Sequence, residues 1–152
     1  MSLRQAVLSD LNTVKYVAES TISEVYPHYY PRGAVDFFLK HHSETNIVHD
    51  IEQNQVFLCQ DAAGNVVGTV TVSGNEICRL FVLPAFQGKG YGTEMLDYAE
   101  KTISGQAPEI VLAASFPAKG MYLKRGYEVV SYHMLPTDNH DFLCYDVMKK
   151  QV

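Results

Sequence analysis

Apolar residues recur along this chain with two different spacings, and the changes of spacing mark the predicted elements. LRQAV near the start has the pattern of a short strand. The next apolar residues lie three or four positions apart, as in a helix: Leu11, Val14, Ala18 and Ile22. Ser9 or Asp10 can cap this helix. Pro27 and Pro31 end it within VYPHYYPRG, and AVDFFLKHH predicts a second helix.

The middle of the chain predicts three consecutive antiparallel strands. QVFLCQD and VVGTVTV are rich in apolar and β-branched residues, and the intervening AAGN is typical of a hairpin turn. EICRLFV has the same character and follows the turn residues SGN. These strands lead to Pro84, where the composition changes.

The last third predicts a helix, a buried strand, a short helix and a closing hairpin. One face of the first helix is apolar: Tyr91, Met95, Ala99 and Ile103. Gly105 and Pro108 end it, and the almost wholly apolar EIVLAA is typical of a strand covered on both faces. AKGMYLKR predicts a helix ending at Gly126. YEVVSYHML and FLCYDVM flank the polar PTDNH and predict two paired strands.

The predicted order is therefore strand, two helices, three strands, helix, strand, helix and two strands, which is a mixed α+β chain with seven strands. With 152 residues it fits one domain over 1–152, and no repeat or linker divides it. Hydrophobic residues make up 47% and charged ones 19%, which is typical of a globular protein and argues against disorder.

Charge and hydropathy narrow the expected partners and location. No apolar run approaches the roughly 18 residues that cross a bilayer, and the start lacks the pattern of a signal peptide, so we expect a cytoplasmic protein without membrane contact. The net charge of −5 argues against nonspecific nucleic-acid binding and weakly favours cationic partners. Cys59, Cys78 and Cys144 are odd in number and widely spaced, which predicts reduced core thiols.

The stretch FQGKGYGTEML, Phe86 to Leu96, places three glycines at alternate positions where a helix begins. The first turn of a helix has unpaired N–H groups and a partial positive charge. Gly88, Gly90 and Gly92 let an anion approach the backbone, and Lys89 adds a formal charge. A phosphate site is therefore one prediction, and a flexible loop is the alternative. The P-loop and dinucleotide-binding patterns are not met.

Two motifs in this order resemble the GNAT superfamily of acyl-CoA-dependent N-acyltransferases. LFVLPAFQGKGYG carries Gln87, Gly90 and Gly92. SFPAKGMYLKRGY carries the second motif, with its residues Ala118, Tyr122, Gly126 and Tyr127. The resemblance extends to the element order and covers nearly the whole chain. It implies the GNAT fold: a mostly antiparallel central sheet splayed between its fourth and fifth strands, with helices on both faces.

The resemblance implies acetyl-CoA as co-substrate and no metal. The pyrophosphate would lie on backbone N–H groups around Gln87 to Gly92, and the pantetheine arm would lie between the splayed strands. The implied cofactor-binding residues are Leu80, Phe81, Val82, Gln87, Gly88, Lys89, Gly90, Tyr91, Gly92, Thr93, Ser115 and Ala118. Ser115 stands where the family often has Asn, so its hydroxyl either bonds a pantetheine amide or caps the next helix, and capping is preferred.

For catalysis the resemblance implies Tyr122 as the acid that protonates the leaving thiolate and the Leu80 N–H as the oxyanion donor. Glu76 resembles the general base of some family members, and a solvated strand end is its alternative role. An alkylamine is mostly protonated at neutral pH, so a base or a water path is required.

The acceptor pocket is expected between VYPHYYPRG and PTDNH. Its candidate residues can bind a cationic amine through carboxylate and aromatic faces: Tyr26, His28, Tyr29, Tyr30, Asp138 and His140. His41, His42 and His49 have no metal-site pattern and are predicted to lie on the surface. The expected function is acetyl transfer to a primary amine of a small molecule or protein, and the alternative is an acyl-CoA-binding sensor without turnover. A homodimer is compatible with either.

Overall fold

The structure is a computed structural model that describes residues 2–152, and its centre is a seven-stranded mixed sheet with helices on both faces. The strands are β1 (Ser2–Gln5), β2 (Val56–Gln60), β3 (Val66–Ser73), β4 (Glu76–Val82), β5 (Glu109–Ala114), β6 (Glu128–Pro136) and β7 (Phe142–Gln151). The helices are α1 (Leu11–Val25), α2 (Arg32–His41), α3 (Glu44–Glu52), α4 (Tyr91–Ser104) and α5 (Phe116–Lys124). Short 3-10 turns occupy Leu8–Asp10, Tyr26–His28 and Pro84–Phe86.

Helix α3 is the element that the sequence prediction missed, so three helices rather than two separate β1 from β2. Its apolar signal is short, because only Ile47 and Ile51 are buried, one turn apart. They pack on Val14 of α1 and on Val56 and Leu58 of β2. Tertiary packing thus stabilises a nine-residue helix whose sequence alone is ambiguous.

The sheet has the strand order β1-β2-β3-β4-β5-β7-β6, and β4 and β5 are its parallel neighbours while all other pairs are antiparallel. The predicted splay between the fourth and fifth strands is confirmed. Within residues 2–152, β4 and β5 share a single pair, Glu76 with Val111. Asn75 fastens this end, since its carbonyl accepts the Val111 N–H at 3.0 Å and its side-chain amide donates to the Glu109 carbonyl at 3.2 Å.

A β-bulge in β4 turns this strand away from β5. Thr69 pairs with Phe81 and Thr71 pairs with Cys78, so Arg79 and Leu80 together lie opposite Val70. Arg79 has a φ of 50°, in the left-handed region that non-glycine residues rarely adopt. Bulges increase the local twist of a strand, whereas β5 is held by β7 along its whole length. The two strands therefore diverge beyond Glu76.

The bulge also reverses which face of the sheet the following side chains occupy. Ile77 packs in the cluster formed with α4, and Leu80 and Val82 lie against the same cluster. Phe81 instead packs with α1 and α2 on the opposite face. In a regular strand Ile77 and Phe81 would share a face, because their separation is even.

Four side chains from different elements hold the bulge, and we call them the Arg79 cluster: Arg79, Asp50, Thr71 and His42. The Arg79 side chain is 4% exposed and lies 2.9 Å from the Asp50 carboxylate in a salt bridge. Its other donors reach Thr71 Oγ1 at 3.0 Å and His42 Nδ1 at 3.3 Å. The guanidinium thereby ties β4 to β3, α3 and the residue after α2.

His42 is buried, so the prediction that it lies on the surface is wrong, whereas His41 and His49 are exposed as predicted. Burial, together with the charge of Arg79 and the neighbouring His41, lowers the pKa of His42 to about 3. His42 therefore stays neutral at neutral pH and accepts the Arg79 Nε–H through Nδ1.

The three cysteines are free, and Cys59 is buried while Cys78 and Cys144 are half-buried. Among residues 2–152, no three His, Cys, Asp or Glu side chains lie close enough to hold a metal ion. In the same part of the chain, no helix is both long and apolar enough to cross a membrane.

We predict that Asp50→Ala lowers the free energy of unfolding by about 3 kcal/mol, because it leaves the buried Arg79 charge without its carboxylate. Asp138→Ala is the matched control, since it breaks the exposed pair with Lys40 and should cost less than about 1 kcal/mol. Urea unfolding measures both. Equal losses in the two variants would contradict a stabilising role for the Arg79 cluster.

We also predict that His42 makes the folded protein less stable as the pH falls. The unfolded chain takes up a proton near pH 6.5, but the folded chain does so only near pH 3, so stability falls as pH falls through this window. The slope from this residue is at most about 1.4 kcal/mol per pH unit. His42→Asn keeps an acceptor for Arg79 and should flatten the profile between pH 7.5 and 5, while His49→Asn, an exposed control, should not. Parallel profiles for both variants and the wild type would overturn this assignment.

Candidate active site

The divergence of β4 and β5 opens two adjoining cavities. One, of about 380 Å³, reaches the loop before α4 and is called the glycine-loop cavity. The other, of about 290 Å³, lies against α2 and β7 and is called the aromatic cavity. Both are lined by the same five residues where they meet: Tyr26, Leu80, Phe81, Ser115 and Ala118. A molecule in one cavity can therefore reach a molecule in the other.

Nearly all residues expected to bind the cofactor lie around the glycine-loop cavity. They are Leu80, Phe81, Val82, Gln87, Gly88, Gly90, Tyr91, Gly92, Thr93, Ser115 and Ala118. Lys89 lies outside this lining, and its Nζ is 5.2 Å from the centre of the Phe86 ring. Thr21 of α1 and Met121 of α5 also line the cavity, although no sequence motif singled them out.

The loop presents a row of unpaired backbone donors. The first amide of α4 with a backbone partner is that of Glu94, which bonds the Gly90 carbonyl at 3.1 Å. Within residues 2–152, the six preceding N–H groups, from Gly88 to Thr93, have no backbone partner. They lie at the positive end of a fourteen-residue helix. The site is therefore built to bind an anion.

Positive φ angles at Gly88 (76°) and Gly90 (92°) shape this loop. A Cβ at either position would meet no atom within 4 Å, so these glycines relieve no internal clash. Their absent side chains leave space in front of the N–H groups. Gln87 holds the loop against the end of β4, since its side-chain amide donates to the Val82 carbonyl at 3.0 Å.

Ser115 occupies the N-cap position of α5 with an extended backbone, but its hydroxyl makes no capping bond. Instead, the Tyr30 hydroxyl accepts the Phe116 N–H at 2.7 Å. The preferred expectation of a capping hydroxyl is therefore wrong, although the residue is at the helix start. Its side chain lies where the two cavities meet.

Tyr122 lines the aromatic cavity from α5 and is 5% exposed. Burial raises its pKa, and the nearby Tyr26 and Cys78 raise it further. Burial also raises the pKa of Tyr26 to about 12 and that of Cys78 to about 12. All three groups consequently keep their protons at neutral pH, and the Tyr122 hydroxyl is available as a donor.

Glu76 lines the aromatic cavity at the end where β4 and β5 still pair, and it is exposed. It lies four positions before Leu80, which corresponds to at most about 13 Å between Cα atoms in an extended strand, and the bulge at Arg79 shortens this span. Its carboxylate can therefore act on a group near Leu80 through intervening water.

The residues expected to bind the acceptor do not converge on one pocket. Tyr26 lines both cavities, whereas Tyr30 is buried under α5. His28 and Tyr29 are exposed and lie outside both cavities.

The hairpin candidates are also apart from the aromatic cavity. Asp138 lies 3.5 Å from Lys40 in an exposed ion pair, and both line a third cavity of about 700 Å³, between Gly33 and the β6–β7 turn, that shares Phe37 and His41 with the aromatic cavity. His140 has a φ of 61° in the β6–β7 turn. Neither lines the aromatic cavity.

Sequence reasoning missed the α2 wall of the aromatic cavity, which consists of Phe37, Phe38 and His41, with His42 directly after the helix. Tyr145 of β7 faces it. The signal was present in AVDFFLKHH, where Phe37 and His41 lie one turn apart and stack at 6.2 Å. It could not be separated from the ordinary core pattern of an amphipathic helix.

Comparisons with known proteins agree with this architecture. A family model described as "Acetyltransferase (GNAT) domain" matches residues 25–141. No curated protein sequence matches the chain.

Among solved structures, the GCN5-related N-acetyltransferase from Rhodopseudomonas palustris superposes with a TM-score of 0.89 at 21% identity, over 99% of this chain and 95% of that one. The PaiA N-acetyltransferase from Thermoplasma acidophilum, in complex with coenzyme A, has a TM-score of 0.74 at 22% identity, over 99% and 98% of the two chains. YncA, a putative acetyltransferase from Salmonella typhimurium with acetyl-CoA, has a TM-score of 0.73 at 16% identity, over 99% and 93%.

At these identities the structural likeness shows a shared fold. The match to the family model shows family membership, because it spans most of the chain, from the end of α1 to the turn before β7. It includes the splayed strands, the glycine loop and α5. The chain therefore belongs to the GNAT acetyltransferase family.

Proposed function

We propose that this protein is an N-acetyltransferase that moves the acetyl group of acetyl-CoA to a primary amine by direct attack. The observation that carries the proposal is the row of unpaired N–H groups from Gly88 to Thr93, which faces a gap that opens into a second cavity. The presence of coenzyme A or acetyl-CoA in two structural neighbours supports this choice of co-substrate.

The residues present fit acetyl-CoA in two ways. The pyrophosphate carries negative charge that the α4 terminus and its N–H groups can bind. The pantetheine arm has amides that can pair with backbone groups of β4 around Leu80, as an added strand does. The Val82 carbonyl already accepts the Gln87 amide and the Thr21 hydroxyl. Bound this way, the thioester lies near Leu80, where the two cavities meet.

In the reaction the amine nitrogen forms a bond to the thioester carbon, and the bond from that carbon to sulfur breaks. One proton leaves the nitrogen, and the departing thiolate gains one. The N–H of Leu80, a residue that lines both cavities, stabilises the charge that develops on the carbonyl oxygen. Glu76, the carboxylate in the lining of the aromatic cavity, accepts the amine proton through water.

Tyr122 acts on the sulfur. Its raised pKa lies above that of a typical thiol, so complete proton transfer to the thiolate is uphill. The hydroxyl therefore works mainly by donating a hydrogen bond to the departing sulfur. The final proton comes from solvent or through the same hydroxyl.

Direct attack is favoured over an acetyl-enzyme intermediate. Cys78 is the thiol that lines the aromatic cavity. Burial and the nearby Glu76 charge raise its pKa to about 12, so little thiolate forms at neutral pH.

A sensor that binds acyl-CoA without turnover is the second candidate. The observation that favours it is that Glu76, the candidate base, is exposed at the end of the cavity where β4 and β5 still pair. Release of free coenzyme thiol from acetyl-CoA in the presence of a panel of amines distinguishes the two functions, because a sensor releases none.

We predict that coenzyme A raises the melting temperature of the wild type, by the equivalent of about 2.7 kcal/mol at one hundred times its dissociation constant. Gly90→Val should abolish the shift, because the side chain enters the space before the N–H groups. Gly64→Val is the matched control: Gly64 has a similar φ of 87° and open surroundings, but lies in the β2–β3 turn. An undiminished shift in the Gly90 variant, or an equal wild-type shift with ATP, would contradict this site.

We predict that Tyr122→Phe lowers kcat about 100- to 1,000-fold, as expected for the loss of one positioned donor, with little change in acetyl-CoA affinity. Tyr127→Phe is the control, because the Tyr127 hydroxyl bonds Glu100 at 3.0 Å away from both cavities. Steady-state kinetics on variants with intact melting curves provide the measurement. Wild-type turnover in the Tyr122 variant would leave the residue a packing role only.

A further inference from the structure

We propose that the acceptor is a small primary amine on an aromatic or branched aliphatic body that carries no carboxylate or phosphate. This inference rests on the proposed acetyl transfer and concerns the aromatic cavity. At about 290 Å³ the cavity lies at the lower end of the range for small-molecule sites, so it suits a compact acceptor.

The walls of the cavity are apolar over most of their extent. Phe37 and Phe38 form the α2 side, and Phe81 and Leu135 come from the sheet. Tyr26 crosses Phe38 edge to face at 4.7 Å, which fixes the inner surface. Such a surface binds an aromatic or branched side chain through burial and ring contacts.

The charges around the cavity select against an anionic acceptor. Arg79 is the cationic residue in the lining, but its side chain is only 4% exposed, and each of its three nitrogens contacts Asp50, Thr71 or His42. His42 is held neutral. A carboxylate in this cavity would lose its water without gaining a free cationic partner, which is unfavourable.

Nearby lysines do not supply the missing cation. Lys40 lines the third cavity and not the aromatic one, and it pairs with Asp138. Lys119 lies 2.8 Å from the buried Asp146 carboxylate. His41 is exposed at the mouth, where its ring stacks on Phe37.

The reacting end of the acceptor is a cation before it loses its proton, and the cavity has features that attract one. Glu76 is the carboxylate in the lining. Aromatic faces add a favourable interaction with an ammonium group. An amine with an apolar body therefore suits both the aromatic walls and the Glu76 carboxylate. The carboxylate of an α-amino acid has no cationic partner in this cavity.

Matched acceptor pairs that differ by a single carboxylate test the proposal. Phenethylamine is compared with phenylalanine and isoamylamine with leucine, at saturating acetyl-CoA, and coenzyme thiol release is measured. A lysine-containing peptide is included as a protein-like acceptor. We expect kcat/KM to be about 100-fold or more higher for each decarboxylated amine than for its amino acid.

Phe37→Ala provides an independent readout, because Phe37 lines the cavity and is already partly exposed, so the fold should tolerate the change. We expect KM for phenethylamine to rise about tenfold with little change in kcat, and KM for ethylamine to stay unchanged. Phe142→Ala is the control: this exposed residue of β7 lies outside both cavities.

The outcomes distinguish the proposed acceptor class from the proposed acetyl transfer on which it rests. Equal use of the amino acids, or turnover of the peptide alone, would overturn the acceptor class while leaving acetyl transfer intact. Coenzyme A binding without turnover of any acceptor would overturn both. If KM rose equally in the Phe142 and Phe37 variants, the assignment of the aromatic cavity as the acceptor site would be contradicted.

Discussion

The buried guanidinium of Arg79 is the constraint on which the working part of this structure depends. A left-handed backbone at a non-glycine residue costs on the order of 1–3 kcal/mol, so it persists only where the surroundings impose it. Here Asp50, Thr71 and the neutral His42 each take a donor of the guanidinium. Removing this charge from water without those partners would be costly. The side-chain bonds therefore hold the strained backbone and keep β4 bent away from β5.

The bend has chemical consequences because it leaves backbone groups unpaired at the centre of a sheet. In a regular sheet the facing edges of β4 and β5 would satisfy each other. After the pair of Glu76 with Val111 they do not, and Leu80 lines both cavities that open there. The unpaired amides at the start of α4 lie beside the same gap. A ligand with phosphate and amide groups can satisfy both sets, which couples the fold directly to the choice of co-substrate.

The sequence sufficed for most of the fold and for the glycine-loop half of the site. Strand and helix periods predicted every element except α3, whose two buried isoleucines leave too weak a pattern. The bulge could not be predicted, because Ile77, Arg79 and Phe81 are all buried and look like a regular alternation, although Phe81 lies on the opposite face from Ile77. The burial of His42 depends on the same long-range cluster. No local pattern contains that information.

This difference between the two halves of the site has a physical origin. The glycine-loop half is made largely of backbone N–H groups, so its sequence requirement is a small set of glycines and a helix start, which recur in one short motif. The acceptor half is made of side chains from α2, β4, β6, β7 and α5, and each of them can change without altering the backbone. Because these walls are largely apolar and the Arg79 guanidinium among them is paired within the Arg79 cluster, the proposed selectivity depends on which charged groups of an acceptor the cavity leaves without an ionic partner. An acceptor is then chosen as much by the cost of burying its charged groups as by the contacts it gains.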